Sequence, residues 1–112
     1  METITALTAL EALAQESRLG IFRLLVEAGP EGLAAGQIGE RMALPSPTLS
    51  FHLAQLKRAG LLDCARKGRS LIYSANFQAM NDLVGYLTDN CCGQPGTACG
   101  PVCTPKTTRK TP

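Results

Sequence analysis

The sequence predicts a mainly α-helical fold with one β-hairpin in its second half. Apolar residues recur at helical spacing in four segments before residue 60 and in one segment after residue 76. Between them the helical period stops, and two short apolar runs flank a basic turn, as in a pair of antiparallel strands. A chain of 112 residues fits one domain, and a domain this small gains stability from an interface with a second copy.

Three helices are predicted in the first 42 residues. Ser17 is the expected N-cap of the second helix, and Gly29 and Pro30 are expected to end it. A third, weaker helix is predicted over residues 33–42, where two glycines each cost up to about 1 kcal/mol relative to alanine. The apolar residues that define the first two helices are Ile4, Leu7, Leu10, Ala14, Leu19, Phe22, Leu25 and Val26.

The segment "LPSPTLSFHLAQLKRAGLL" predicts a fourth helix with a leucine stripe on one side. Ser46 is the expected N-cap, Pro47 the first helical residue and Gly60 the end. The side opposite the stripe carries Phe51 and Arg58, with small hydroxyls on its flanks. A helix that begins with uncapped amides, small hydroxyls and the positive end of its dipole suits phosphates and base edges. The stripe consists of Leu49, Leu53 and Leu56.

A hairpin is predicted from two strands, Leu61–Ala65 and Ser70–Ser74, joined by a turn at residues 66–69. The turn carries three cations that repel one another, which favours contact with an anion; a solubilising loop is the alternative. These cations are Arg66, Lys67 and Arg69.

A last helix follows the hairpin and is expected to end near Asn90. The first and last helices both carry wide apolar faces, which predicts that they pack against their counterparts in a second subunit. Residues 91–112 form a separate tail, rich in Gly, Pro, Thr and Lys, that we expect to be largely disordered without a ligand. The last helix is indicated by Phe77, Met80, Leu83, Val84 and Leu87.

Positive charge is concentrated in the middle of the chain. Residues 1–40 contain two arginines and six glutamates, whereas residues 41–69 contain six lysines and arginines and one aspartate. This distribution is expected of a phosphate-binding face, with an ordinary solvated surface as the alternative. Without a long apolar run or a basic leader before Arg18, we expect a cytoplasmic protein with no membrane span. No general base, nucleophile pair or phosphate-cradling loop is recognisable, so we expect no enzyme.

The predicted architecture is a winged helix-turn-helix. It consists of several helices, then a capped helix with a leucine stripe, then a basic hairpin. "LSFHLAQLKRAGLL" followed by "RKGRSLIYS" resembles the recognition helix and wing of the ArsR (ArsR/SmtB-type) family of metal-responsive repressors. "ALAQESRLGIFRLLVEAGPEGL" resembles that family's second helix and the turn after it. The resemblance implies that residues 1–90 form a DNA-binding and dimerisation domain. It also implies a homodimer that reads an inverted repeat in double-stranded operator DNA, one recognition helix per major groove.

Positions carried over from the family place the DNA contacts on the fourth helix and the hairpin. Residues near the start of the helix would lie at base edges or nearby phosphates, and the hairpin cations would touch the flanking backbone or minor groove. His52, the only histidine, falls at the edge of the leucine stripe, which favours a packed, hydrogen-bonded side chain over a base reader. Lys57 and Arg58 are phosphate contacts or partners of the helix dipole. The full set of candidate DNA-binding residues is Ser46, Pro47, Thr48, Ser50, Phe51, His52, Gln55, Arg58, Arg66, Lys67 and Arg69.

Four of the five cysteines lie in "DNCCGQPGTACGPVC", at residues 89–103. Some ArsR relatives carry a "CVC" pair in the helix before the recognition helix, but "EGLAAGQIGERMAL" contains no cysteine, and one histidine cannot build a His-rich sensor site. Adjacent cysteines at the end of the last helix resemble arsenic-responsive variants of the family. Three thiolates suit As(III) or Sb(III), whereas four would suit zinc or cadmium. The candidate metal ligands are Cys91, Cys92, Cys99 and Cys103, with the third ligand left open between Cys99 and Cys103.

These residues predict a repressor of an arsenic-resistance operon that leaves its operator when the metalloid binds. A thiol-redox repressor or a zinc- or cadmium-responsive repressor of the same fold is the nearest alternative, and a soft-metal chaperone is an alternative of a different class. A further alternative is that the cluster is an incidental thiol-rich tail. Cys64, alone on a predicted strand, is expected to be a small buried hydrophobe.

Overall fold

A computed structural model describes residues 1–90, which form five helices and one three-stranded antiparallel sheet. Among these residues no helix combines the length and the apolarity that crossing a bilayer requires. The mainly α-helical fold with a β-hairpin is confirmed. The elements are α1 (Thr3–Leu13), α2 (Glu16–Ala28), β1 (Leu33–Ala34), α3 (Ala35–Met42), α4 (Ser46–Arg58), β2 (Leu62–Lys67), β3 (Ser70–Ala75) and α5 (Phe77–Leu87).

The core is built around α4, which packs against α1, α2 and β2. The predicted leucine stripe of α4 is buried, and its most enclosed member is Leu56. Ile21 and Leu25 of α2 and Ile38 of α3 are fully buried in the same cluster. Since each buried side chain of this size contributes about 2 kcal/mol, the stripe determines which side of α4 faces solvent.

Two helices begin earlier than predicted. Gln15, not Ser17, caps α2, because its side-chain oxygen accepts a hydrogen bond from the amide of Arg18 at 2.8 Å. Helix α4 begins at Ser46 rather than after it, because the carbonyl of Pro45 already accepts the first helical hydrogen bond, from the amide of Leu49 at 2.9 Å. The expectation that Ser46 is an N-cap is therefore wrong.

The third helix begins two residues later than predicted, because the first two residues of the predicted helix form a strand. Leu33 and Ala34 pair with Tyr73 and Ile72 of β3, so the sheet order is β1-β3-β2 and α3 begins only at Ala35. Gly32 permits this close approach: its φ is +71°, and a Cβ there would lie 2.2 Å from the carbonyl oxygen of Tyr73. A strand of two residues carries no periodic pattern, which is why the sequence did not reveal it.

Arg18 joins three helices. Its Nε donates to the carbonyl oxygen of Ala12 at the end of α1 (2.7 Å), and its Nη1 lies 3.5 Å from Nδ1 of His52 on α4. His52 is only 8% exposed, which agrees with the expectation of a packed histidine. Burial, and secondly the positive charge of Arg18, lower the pKa of His52 below its usual 6.5. A guanidinium only donates, so Nδ1 acts as the acceptor of the neutral ring.

The single histidine makes this junction directly measurable. We expect the ring C–H resonances of His52 to titrate with a pKa below 6.5. In Arg18→Gln the pKa should rise only part of the way, since burial is the larger cause. Because the folded state disfavours the protonated ring, stability should fall as the pH drops from about 6.5 through the folded pKa. NMR titration of both variants checks this, with Arg23→Gln as the control; a wild-type pKa at or above 6.5 contradicts it.

Candidate nucleic-acid interface

Helices α3 and α4 form a helix-turn-helix with a short connection. Ala43, in the left-handed region at φ 55°, ends α3, and the amide of Leu44 donates to the carbonyl of Gly39 at 3.1 Å. Gly39 also lies against α4, because a Cβ there would be 3.2 Å from the side chain of Leu49. This tight turn holds α4 across α3 and leaves its outer side uncovered.

The outer side of α4 carries most of the predicted contacts. Six of the seven α4 candidates other than His52 are exposed, and Gln55 is half-buried where α4 meets α1. His52 is the one α4 candidate that the fold encloses, so it does not reach the outer side. The exposed candidates are Ser46, Pro47, Thr48, Ser50, Phe51 and Arg58, and Lys57 beside them is exposed as well.

The N-terminus of α4 has no side-chain cap. The first helical hydrogen bond is donated by Leu49, so the amides of Ser46 and Thr48 precede the ladder, and Pro47 has no amide hydrogen. Free amides at the positive end of a helix dipole are a suitable contact for a phosphate oxygen. At the opposite end Lys57 and Arg58 occupy the last turn, where cations complement the dipole.

The hairpin is longer and its turn tighter than predicted. Strands β2 and β3 pair from Leu62↔Ala75 to Lys67↔Ser70, which leaves a turn of two residues. Gly68 takes the positive φ (63°) that a type II′ hairpin turn requires at its first position. Arg66 and Lys67 are thus successive strand residues on opposite faces of the ribbon, and Arg69 lies at the tip. All three are exposed, so the hairpin presents a cation on each face and at its end.

Cys64 is the only cysteine among the described residues. It is half-buried in β2 opposite Tyr73, so it is less enclosed than expected. Burial first, and then the charge and hydrogen bond of Cys64, raise the pKa of Tyr73. Within residues 1–90 no three His, Cys, Asp or Glu side chains converge as metal ligands. The predicted ligands Cys91, Cys92, Cys99 and Cys103 lie outside the described residues.

Sequence reasoning missed Arg18, which no motif marks. Arg18 can connect α1 and α4 because its side chain is half-buried between them. A solvent-facing arginine would look the same in the sequence. A half-buried arginine next to the only histidine becomes visible only when α2 and α4 are placed side by side.

Comparison with known proteins agrees with this architecture. Residues 13–65 match a family model described as a helix-turn-helix domain. The chain is 30% identical over 87 residues to the HTH-type transcriptional regulator YgaV of Escherichia coli K12, covering 78% of this chain and 86% of YgaV. It is 33% identical over 85 residues to the transcriptional activator HlyU of Vibrio cholerae, covering 73% and 76%.

Two solved structures share the fold. HlyU from Vibrio cholerae superposes with a TM-score of 0.62 at 32% identity, covering 78% of this chain and 97% of that chain. A homodimeric winged helix-turn-helix domain from Mycobacterium bovis, described as a possible ArsR-family transcriptional regulator, superposes with a TM-score of 0.61 at 25% identity, covering 83% and 86%.

These relatives are DNA-binding regulators and not enzymes, as expected for this chain. The relatives are helix-turn-helix proteins, and the order of elements in this chain, with α3 and α4 followed by the hairpin, agrees with that relationship. The chain belongs to the winged helix-turn-helix transcriptional regulators of the ArsR/HlyU type.

Proposed function

We propose that the chain is a homodimeric repressor of an arsenic-resistance operon. In this proposal the dimer holds an inverted-repeat operator and leaves it when As(III) or Sb(III) binds thiolates of the C-terminal cysteines. The observation that carries the proposal is the position of Cys91 and Cys92, which come four and five residues after the end of α5 at Leu87. Helix α5 has an exposed apolar face suited to a dimer interface, so a ligand there would act on subunit packing.

DNA binding is supported by the charge and exposure of two elements. The outer side of α4 offers hydroxyls, uncapped amides and Arg58, and the hairpin offers exposed cations on both faces and at its tip. In a dimer, two α4 helices would enter successive major grooves while the hairpins lie along the flanking backbone. The cations would provide the salt-dependent part of the affinity.

Dimerisation is supported by the apolar surface of the terminal helices. Ile4 on α1 is 75% exposed, and Val84 and Leu87 on α5 are more than half exposed. The two helices are neighbours, joined by a hydrogen bond of 2.5 Å between the hydroxyls of Thr3 and Tyr86. Exposed apolar side chains on adjoining helices are typical of a surface that a partner covers. The homodimeric domain from Mycobacterium bovis supports the same assembly.

Metalloid binding would couple the dimer surface of the terminal helices to the DNA-binding surface of α4. Three sulfur ligands match the trigonal coordination of As(III), and either Cys99 or Cys103 would join the adjacent pair. Binding would order the tail against α5, shift the dimer helices and change the spacing of the two α4 helices. A coupling free energy of about 3 kcal/mol would weaken DNA binding roughly 150-fold. The metalloid must therefore bind the DNA-free dimer more tightly by that amount.

A thiol-redox repressor is the second candidate. Four clustered cysteines suit disulfide formation as well as metalloid binding, and one solved relative is the reduced form of HlyU. In that case peroxide, and not arsenite, would release the DNA. A zinc- or cadmium-responsive repressor using all four thiolates differs only in the ion that acts.

Removing a hairpin cation should weaken DNA binding without changing its sequence preference. We expect Arg69→Ala to reduce the steepness of the salt dependence by about 2, because a dimer loses two phosphate contacts. Fluorescence anisotropy with duplex DNA from upstream of the chain's own gene, at rising KCl, measures this. Arg23→Ala, which removes a cation from α2, is the matched control. An unchanged salt slope in Arg69→Ala contradicts a role of the hairpin in DNA binding.

Charges placed on the apolar face of α5 should separate the subunits. Val84→Glu together with Leu87→Glu is expected to give a monomer at concentrations where the wild type is a dimer, since burying unpaired carboxylates is costly. Light scattering after size exclusion measures the mass. Leu71→Glu, on the exposed part of the hairpin, should leave the mass unchanged. A double variant with wild-type mass would place the interface elsewhere.

Arsenite should release the wild-type dimer from DNA, and the cysteine variants should not respond. We expect Cys91→Ser and Cys92→Ser to bind the duplex normally but stay bound when arsenite is added. Cys64→Ser, half-buried in the hairpin, should behave like the wild type. Matched titrations with arsenite, peroxide and zinc distinguish the three inducers. If the Cys91 and Cys92 variants still leave DNA on adding arsenite, the proposed site is wrong.

A further inference from the structure

We propose that Phe51 recognises the C5-methyl group of thymine in the major groove and is a specificity-determining residue of α4. This inference rests on DNA binding by α4, but it is independent of the inducer. It predicts that each half-site contains a thymine whose methyl group is required for full affinity.

The middle of the outer side of α4 is apolar. Pro47, Phe51 and Ala54 follow one another at helical spacing, directly opposite the buried stripe that contains Leu53 and Leu56. All three are exposed, and Phe51 retains 56% exposure. Phe51 lies outside the buried core cluster, so the exposed part of its ring is not needed to fill the core of this subunit.

Polar and cationic side chains border this apolar strip on both sides. Thr48 and Gln55 lie on one flank, and Ser50 and Lys57 lie on the other. Together with the uncapped amides at the start of α4, they surround Phe51 with groups suited to phosphates and base edges. This border favours DNA over an apolar protein surface as the occupant.

The chemistry of the major groove restricts what Phe51 can contact. Adenine, guanine and cytosine present hydrogen-bond donors and acceptors there, whereas thymine adds an apolar methyl group. A phenyl ring placed over a donor or acceptor removes water without replacing the hydrogen bond, which costs free energy. Over the thymine methyl it loses no hydrogen bond and buries apolar surface, so the ring discriminates in favour of thymine.

The ring of Phe51 is oriented before DNA arrives. Its edge packs against His52, with ring centroids 5.8 Å apart and an interplanar angle of 61°. His52 is buried in turn and lies beside the Arg18 guanidinium that also holds the end of α1. A ring supported on one side loses less rotational freedom on contact, so more of the contact energy remains for discrimination.

Selection from a random duplex library tests the proposal. The full chain, Phe51→Ala and Lys57→Ala are each used to enrich sequences from the same library. We expect one thymine per half-site to be enriched by the wild type and by Lys57→Ala, which loses only a phosphate-type contact, and not by Phe51→Ala. Because Phe51 is exposed, the variant should fold normally, and its melting temperature checks this.

A methyl deletion in the DNA gives a second measurement that needs no protein variant. Replacing the enriched thymine by deoxyuridine removes only the methyl group. The wild type should bind about fourfold more weakly per half-site, the fold-change for one buried methyl at about 0.8 kcal/mol. Phe51→Ala should bind both duplexes equally.

Several results would overturn the inference. Equal wild-type affinity for the thymine and deoxyuridine duplexes would do so, as would a thymine preference that survives in Phe51→Ala. A change of mass in Phe51→Ala with unaltered base preference would identify a protein contact instead. An enriched sequence that contains no required thymine would refute the inference while leaving the proposed function intact. A wild type that binds no duplex would refute both.

Discussion

Burial of one side of α4 is the constraint on which the rest of the structure depends. Its leucine stripe packs into a cluster with Ile21 and Leu25 of α2, and every outward residue of the helix follows from that contact. The stripe repeats at helical spacing, so the outward residues also repeat at helical spacing. The same interaction therefore stabilises the domain and creates its candidate reading surface, and a substitution in the stripe would disturb both.

The polar contacts around Arg18 add orientation to this packing. One guanidinium joins the carbonyl end of α1 to His52 of α4, and His52 in turn supports the ring of Phe51. Apolar burial alone tolerates small sliding of helices, whereas directional contacts resist it. Arg18, His52 and Phe51 thus form one continuous series of contacts, in which the two more buried side chains position the exposed ring of Phe51.

The terminal helices connect subunit packing with the proposed inducer site. Helix α1 touches α4 on one side and α5 on the other, and α5 leads directly to the cysteine pair. A displacement of α5 would reach α4 through α1 by direct contacts alone, without any rearrangement of the sheet. This arrangement gives the proposed response a physical route, and the cationic hairpin lies on a separate element outside that route.

The sequence by itself determined the helices, the hairpin and the exposed side of α4, because these features depend on the local spacing of apolar residues and on the charge of neighbouring residues. It also showed that four cysteines follow the last helix along the chain. Only the tertiary structure decided that Gln15 and Pro45 are the N-cap residues of α2 and α4, that Leu33 pairs with Tyr73, and that Arg18 meets His52. The pairing of Leu33 with Tyr73 and the contact of Arg18 with His52 join residues that are distant in the chain. The N-caps were selected among neighbouring residues of similar capping energy. In both cases the local sequence pattern does not predict the outcome.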